Sequence, residues 1–145
     1  MIAGSGQKVK SVSVKITFSE VIMNRTTVKD YEAILATVQK YIDGCNEGKS
    51  EIMKPAFDEG AVMYSVNPDG TVAAAGSINN LYAIVDQVGA DKGGVSRVDV
   101  IDSTETTAIV RVVIENWHGL SFIDHHSLVK IGGEWKIVAK IYHSV

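Results

Sequence analysis

The sequence predicts an α+β fold: three N-terminal helices packed across a curved, mixed or antiparallel sheet of about six strands. Three observations carry that prediction. A 22-residue amphipathic stretch, "TVKDYEAILATVQKYIDGCNEG" (27–48), has helical periodicity. From residue 95 onward the chain reads as consecutive strands joined by very short connections. Helices first and a strand meander after is the α+β pattern, in which the helices cover one face of the sheet.

The 145 residues suit one domain, and 46% hydrophobic residues against 21% charged allow a single substantial core. A formal net charge of −3 with scattered Lys and Arg excludes a phosphate-reading nucleic-acid binder. The lone Cys45 forms neither an internal disulfide nor a cysteine metal cage. Nothing reaches the length of a membrane span, and no continuous apolar block marks a secretory signal. A soluble, cytoplasmic protein without a cofactor is the expectation.

Residues 1–22 read as an N-terminal extension, and 23–145 as the domain. Within the extension, Val12, Val14, Ile16 and Phe18 alternate with polar residues, as in an accessory edge strand. In the first helix, Val28, Tyr31, Leu35, Val38, Ile42 and Cys45 recur at spacings of three and four, with Ile34 and Tyr41 widening the stripe. Thr27 with Asp30 resembles a capping box, and Gly48 is placed to end the helix. "SEIMKPAF" (50–57) is a short second helix weakened by Pro55. "AVMYSV" (61–66) and "TVAAAG" (71–76) are strands around an "NPDG" turn, and residues 77–89 form a third helix with Ser77 as its N-cap. Strands follow at 95–103, 106–118, 120–131 and 134–145.

Strand alternation predicts which side chains face the concave side. Ala108, Val110, Val112 and Ile114 form an inner row, continued by Asn116 and His118. On the last strand, Trp135, Ile137, Ala139, Ile141 and His143 form the apolar row. Between them lies "SFIDHHSLVK" (121–130), where Asp124, His125 and His126 adjoin. A three-residue loop, Gly132–Glu134, would set Ile131 opposite Trp135 and turn His125 and Ser127 inward. A two-residue Gly-Gly loop would set Lys130 opposite Trp135. The first register is the expectation, because it matches apolar with apolar.

In that register His125 is a candidate acid/base, its ordinary pKa of about 6.5 suiting proton transfer. Ser127 and Tyr41 are its pocket partners, and Tyr64, Ser65, Asn116, His118, Trp135 and His143 complete the candidate ligand-binding set. The outer face would carry Arg111, Val113, Trp117, Phe122, Asp124, His126, Leu128, Val138 and Tyr142. A patch that large and apolar predicts a homodimer through the sheet. A metal site is not expected: His118, His125 and His143 come from three strands and converge only near one end.

The element order carries a resemblance. "VQKYIDGCNEGKSEIMKPAFDEGAVMYSV" resembles the helix–helix–strand opening of the nuclear transport factor 2-like superfamily, which includes ketosteroid isomerases, polyketide cyclases and scytalone dehydratase. "SLVKIGGEWKIVAKIYHSV" is similar to the C-terminal hairpin of its small bacterial lumazine-binding branch, with "GEWKIV" the sharpest piece. The resemblance spans about residues 27–145 and implies a cone-shaped α+β barrel, a homodimer, and a small hydrophobic or aromatic ligand in the cone. It also implies where ketosteroid isomerase groups would fall: a general-base Asp near Ser65, a Tyr at Tyr41, and a protonated Asp near Ser127. Only Tyr41 matches, and serine supplies no carboxylate base, so that chemistry is rejected. The leading expectation is a small-molecule-binding protein. The alternatives are a dehydratase, isomerase or cyclase using His125 with Tyr41, and a non-catalytic dimeric interaction module.

Overall fold

A computed structural model describes Ser13, Lys15 and residues 26–145. The accessory strand expected within residues 1–22 lies, apart from those two positions, outside the described residues. Helix α1 is Val28–Glu47, α2 is Ser50–Met53 followed by a 3-10 turn at Lys54–Ala56, and α3 is Asn79–Val88. The strands are β1 (Phe57–Val66), β2 (Val72–Ser77), β3 (Val95–Ser103), β4 (Thr107–Trp117), β5 (Leu120–Ile131) and β6 (Glu134–Ser144).

Local chemistry explains the ends of α1. The Thr27 side chain accepts from the Asp30 backbone N–H at 3.0 Å, which satisfies one orphan donor of the first turn. The Asp30 carboxylate does not close the reciprocal half of a capping box. It accepts instead from Lys130 Nζ at 3.0 Å and Trp135 Nε1 at 3.2 Å, tying the start of the helix to the β5–β6 hairpin. Gly48 ends the helix at φ 64°, a left-handed conformation that favours glycine. In α3 the cap shifts by one residue: Ile78 occupies the N-cap position, while Ser77 Oγ accepts from Asn79 N at 3.1 Å.

The six strands form one sheet in the order β2-β1-β6-β5-β4-β3. Only β1 and β6 run parallel; every other pair is antiparallel. Helix α1 lays Ile34, Val38, Tyr41, Ile42 and Cys45 against the concave face, where they meet Val110, Val112, Leu128 and Ile137. Among the described residues no helix is long and apolar enough to cross a membrane.

Two irregularities decide what the concave face carries. The β5–β6 connection is the two-residue Gly132-Gly133 turn, with φ of 57° and 83°, so Lys130 pairs with Trp135. Positive φ at both central residues suits the twist of a tight hairpin and favours glycine here. The expected three-residue loop is therefore overturned near the turn. Further along, Leu128 pairs with Ile137 but Ser127 with Ala139, so Val138 is an extra residue on β6. A bulge of this kind reverses the facing of everything beyond it. The distal pairs Ser127–Ala139, His125–Ile141 and Ile123–His143 do form, yet they point outward. A second shift, between Ile114 and Trp117 on β4, turns Trp117 from the outer face into the core, where its Nε1–H donates to Cys45 O at 3.0 Å.

Candidate functional site

The concave face of β5 carries Phe122, Asp124, His126 and Leu128, because Asp124 and His126 pair directly with the inward Val112 and Val110. Asp124 and His126 are both fully buried. On β6 the Val138 bulge brings Lys140 and Tyr142 to the same side. Four polar side chains thus meet inside an apolar shell: Tyr41 from α1, Asp124 and His126 from β5, and Lys140 from β6.

Asp124 is the hub. Tyr41 Oη–H donates to its Oδ2 at 2.6 Å, a short charge-assisted bond. His126 Nε2 stands 3.4 Å from the same oxygen. Lys140 Nζ is 3.6 Å from Oδ1, an ion pair longer than a hydrogen bond. The ammonium is otherwise surrounded by soft groups: the Tyr142 ring at 4.2 Å, the Tyr41 ring at 5.6 Å and the Met63 sulfur at 4.0 Å. Cation–π attraction replaces part of the lost hydration. Asp124 Oδ1 and His126 Nδ1 have no hydrogen-bond partner among the described residues.

The protonation states follow from burial and charge. Burial raises the Asp124 carboxyl, but Lys140, His126 and Tyr41 together outweigh it and hold the group below the ordinary aspartate value. Burial holds the His126 imidazole below its ordinary value, against the pull of Asp124, so it is neutral near pH 7. Burial and the Asp124 charge push the Tyr41 phenol well up, which keeps it an O–H donor. Burial pushes the Cys45 thiol up to about 12, so it is an inert small apolar group. One carboxylate then faces one ammonium, with His126 and Tyr41 uncharged.

Above this quartet lies a cleft of about 80 Å³, lined by Tyr41, Cys45, Met63, Leu81, Ile84, Ile114, Trp117, Phe122, Lys140 and Tyr142. Lys140 and the Tyr41 and Tyr142 phenols bring the polar chemistry to its wall; Asp124 and His126 lie behind them. A larger hollow of about 920 Å³ runs between α1 and the β5–β6 turn. It is bordered by surface chains such as Lys29, Lys40, Glu105 and Glu134 and does not reach the buried quartet, so the smaller cleft is the better site. Among the described residues no group of three or more His, Cys, Asp or Glu is arranged to hold a metal.

The structure redistributes the residues singled out from sequence. Tyr41 lines the cleft and Ser65 is buried on β1, outside the lining. Tyr64, Asn116, His118, His125 and His143 are exposed and Ser127 half-buried, none of them in the cleft. His125 as the interior acid/base is therefore corrected: it sits on the convex face, one residue from the buried histidine. Trp135 is core, anchored to Asp30. Of the outer-face set, Arg111, Val113 and Val138 are half-buried on the convex side. Trp117, Phe122, Asp124, His126, Leu128 and Tyr142 face inward instead. Lys140 is the candidate residue that sequence reasoning misses. Strict alternation from Trp135 puts it on the outer face, and the Gly-Gly turn beside an inward Trp135 is the available sign of a register change.

Residues 29–143 match the profile of the family described as "Putative lumazine-binding". The chain is 36% identical over 119 residues to a protein named aldolase FrzH from Cladobotryum sp., covering 81% of this chain and 94% of that one. An NTF2-like protein from Shewanella baltica superposes with a TM-score of 0.79 at 32% identity, covering 84% of this chain and 98% of its own. Another from Methylobacillus flagellatus gives 0.78 at 32% identity, with 83% and 96% covered.

The buried pair has a measurable signature. Asp124→Asn keeps the shape but leaves the Lys140 charge uncompensated, and should cost about 3–5 kcal/mol in urea unfolding. Adding Lys140→Met to that variant should recover a large part of the loss. Additive losses in the double variant would mean that the two groups do not depend on one another.

Proposed function

The chain belongs to this lumazine-binding family of NTF2-like proteins, and from that membership we propose that its aromatic cleft binds a small carbonyl compound and promotes bond breaking beside the carbonyl. The supporting observation is Lys140: a buried cation at the wall of an otherwise apolar cleft, fixed by a carboxylate that is itself held by Tyr41. A carbonyl oxygen accepts from Lys140 Nζ. As an adjacent C–H or C–C bond gives up its electrons, negative charge gathers on that oxygen, and a donor already in place stabilises it most in the transition state. The apolar lining keeps water from weakening the contact. Enolate chemistry of this sort is common to isomerisation, dehydration and aldol reactions, and the similarity to a protein named an aldolase favours the aldol direction.

The acid/base role first given to His125 passes to the quartet. Tyr41 keeps its proton and donates it to the Asp124 carboxylate along a 2.6 Å bond. Neutral His126 offers an unpartnered Nδ1 within the same dry cluster. These groups act through Lys140 and Tyr41, which are the members that reach the cleft. Small-molecule binding is the broader part of this reading, and turnover the finer part.

The protein is also proposed to pair with a second copy through the convex sheet face. Ile101, Ile109, Ile131 and Ile141 are each 41–59% exposed there, with Val113, Ile123, Val129 and Val138 between them. Such a row of β-branched side chains is a self-complementary surface for a two-fold dimer. The partners of the convex face are then Arg111, Val113 and Val138 from the expected set, joined by these isoleucines.

Two measurements test these readings. Deuterium exchange at the α-carbon of cyclopentanone should be catalysed by the wild type and slowed at least about 100-fold by Lys140→Met, the loss of one preorganised donor. His125→Ala should change the rate by less than about twofold, as expected for a surface group. Exchange that survives Lys140→Met but fails in His125→Ala would reverse the assignment. Light scattering should give a dimer that Ile109→Lys with Ile141→Lys converts to a monomer; a monomeric wild type would contradict the interface.

A further inference from the structure

The Lys140 amine has an unusual set of neighbours for a purely electrostatic role. Its nitrogen has three protons and, among the described residues, no oxygen acceptor within hydrogen-bond distance. Asp124 Oδ1 is 3.6 Å away, and the one hydrogen-bond contact among the described residues is the Met63 sulfur at 4.0 Å. A structural buried lysine normally satisfies its donors with carbonyl or carboxylate oxygens. Here the side chain is 5% exposed, its partner oxygen Asp124 Oδ1 lacks a hydrogen bond, and the amine borders the cleft. The arrangement fits an amine whose remaining partner is a ligand carbon, with the nearby carboxylate as its proton acceptor.

We propose that Lys140 is a nucleophile that forms an imine with the carbonyl carbon of a small ketone or aldehyde bound in the cleft. The inference rests on the carbonyl-binding reading of the same site. Asp124 takes one proton from the Lys140 ammonium. The free amine adds to the carbonyl carbon, and the C=O π pair moves to oxygen. A proton passes from nitrogen to that oxygen, giving a neutral carbinolamine. The nitrogen lone pair then closes the C=N bond as the hydroxyl leaves, protonated by Asp124 to water. The products are an iminium cation, a water molecule and the Asp124 carboxylate, so the charge pair is restored and no oxidant or reductant is needed.

The surroundings suit each step. The iminium keeps a carboxylate beside it and stays against the Tyr142 ring, which held the ammonium. It also draws electrons from the neighbouring C–H or C–C bond more strongly than a hydrogen-bonded ketone does, which is the gain from covalent catalysis by lysine. A cleft of about 80 Å³ limits the reacting end of the substrate to a few heavy atoms, with Trp117, Phe122 and Ile84 selecting an apolar body.

The test uses the full chain and 2,4-pentanedione, a small diketone that turns a lysine imine into a stable vinylogous amide. One adduct per chain is expected, with new near-ultraviolet absorbance and the added mass on the peptide that contains Lys140. Lys140→Met and Lys140→Arg should lose that adduct. Borohydride trapping of wild type with cyclopentanone, read by peptide mass, needs no variant and should mark the same lysine. Adducts confined to surface lysines, with Lys140 unmodified in both assays, would overturn the imine. If α-carbon exchange still depends on Lys140 in that case, the carbonyl-binding reading stands without the covalent step. If exchange is also absent, both fail.

Discussion

The extra residue at Val138 is the constraint on which the site depends. Before it, β6 sends Trp135 and Ile137 inward by ordinary alternation. After it, the parity reverses and Lys140 and Tyr142 face the concave side. Without the bulge, Ala139 and Ile141 would occupy that side and Asp124 would be a buried carboxylate with no cation. A buried charge of that kind is strongly unfavourable. The bulge and the ion pair are therefore mutually dependent: the backbone irregularity supplies the counter-ion, and the counter-ion rewards the irregular register.

The quartet balances its charges in little space. Asp124 accepts from Tyr41, approaches His126 and faces Lys140, so its two oxygens are engaged from three elements. Keeping His126 neutral matters to this balance, because a second cation beside Lys140 would repel it across a dry interior. The two atoms left without partners, Asp124 Oδ1 and His126 Nδ1, are the points where the cluster is incomplete on its own.

Most of the architecture was legible in the sequence, because it rests on strong periodic signals. The α1 stripe from Ile34 to Cys45, the β3–β6 meander and the inward row Ala108–Ile114 fall where alternation and helical spacing place them, while Val28 and Tyr31 at the start of the stripe are exposed. The facing of β5 was also within reach: Asp124 and His126 pair with Val112 and Val110, whose inward orientation was read correctly. The error came from fixing β5 against β6, where an apolar match of Ile131 with Trp135 outweighed the tight-turn chemistry of Gly132-Gly133. Neither bulge has a local signature as plain as a proline or a glycine at the bulged position. Val138 and the Ile114–Trp117 stretch read as unbroken strand, so Trp117, Lys140 and Tyr142 were given the wrong side for one shared reason. Tyr41, placed by helical spacing, was unaffected.

The central claim is that the bulge seats a lysine ammonium beside an ionised, buried Asp124 at the wall of the cleft. Carbon-13 carboxyl NMR of Asp124 across acidic pH tests it most directly. In the wild type the carboxyl should titrate below the ordinary value of about 3.9, because its ionised form has Lys140 as a counter-charge. In Lys140→Met the same resonance should titrate higher than in the wild type, since only His126 and Tyr41 then oppose burial. An Asp124 that titrates at or above the ordinary value in the wild type, or that does not respond to Lys140→Met, would contradict the pairing and the site built on it.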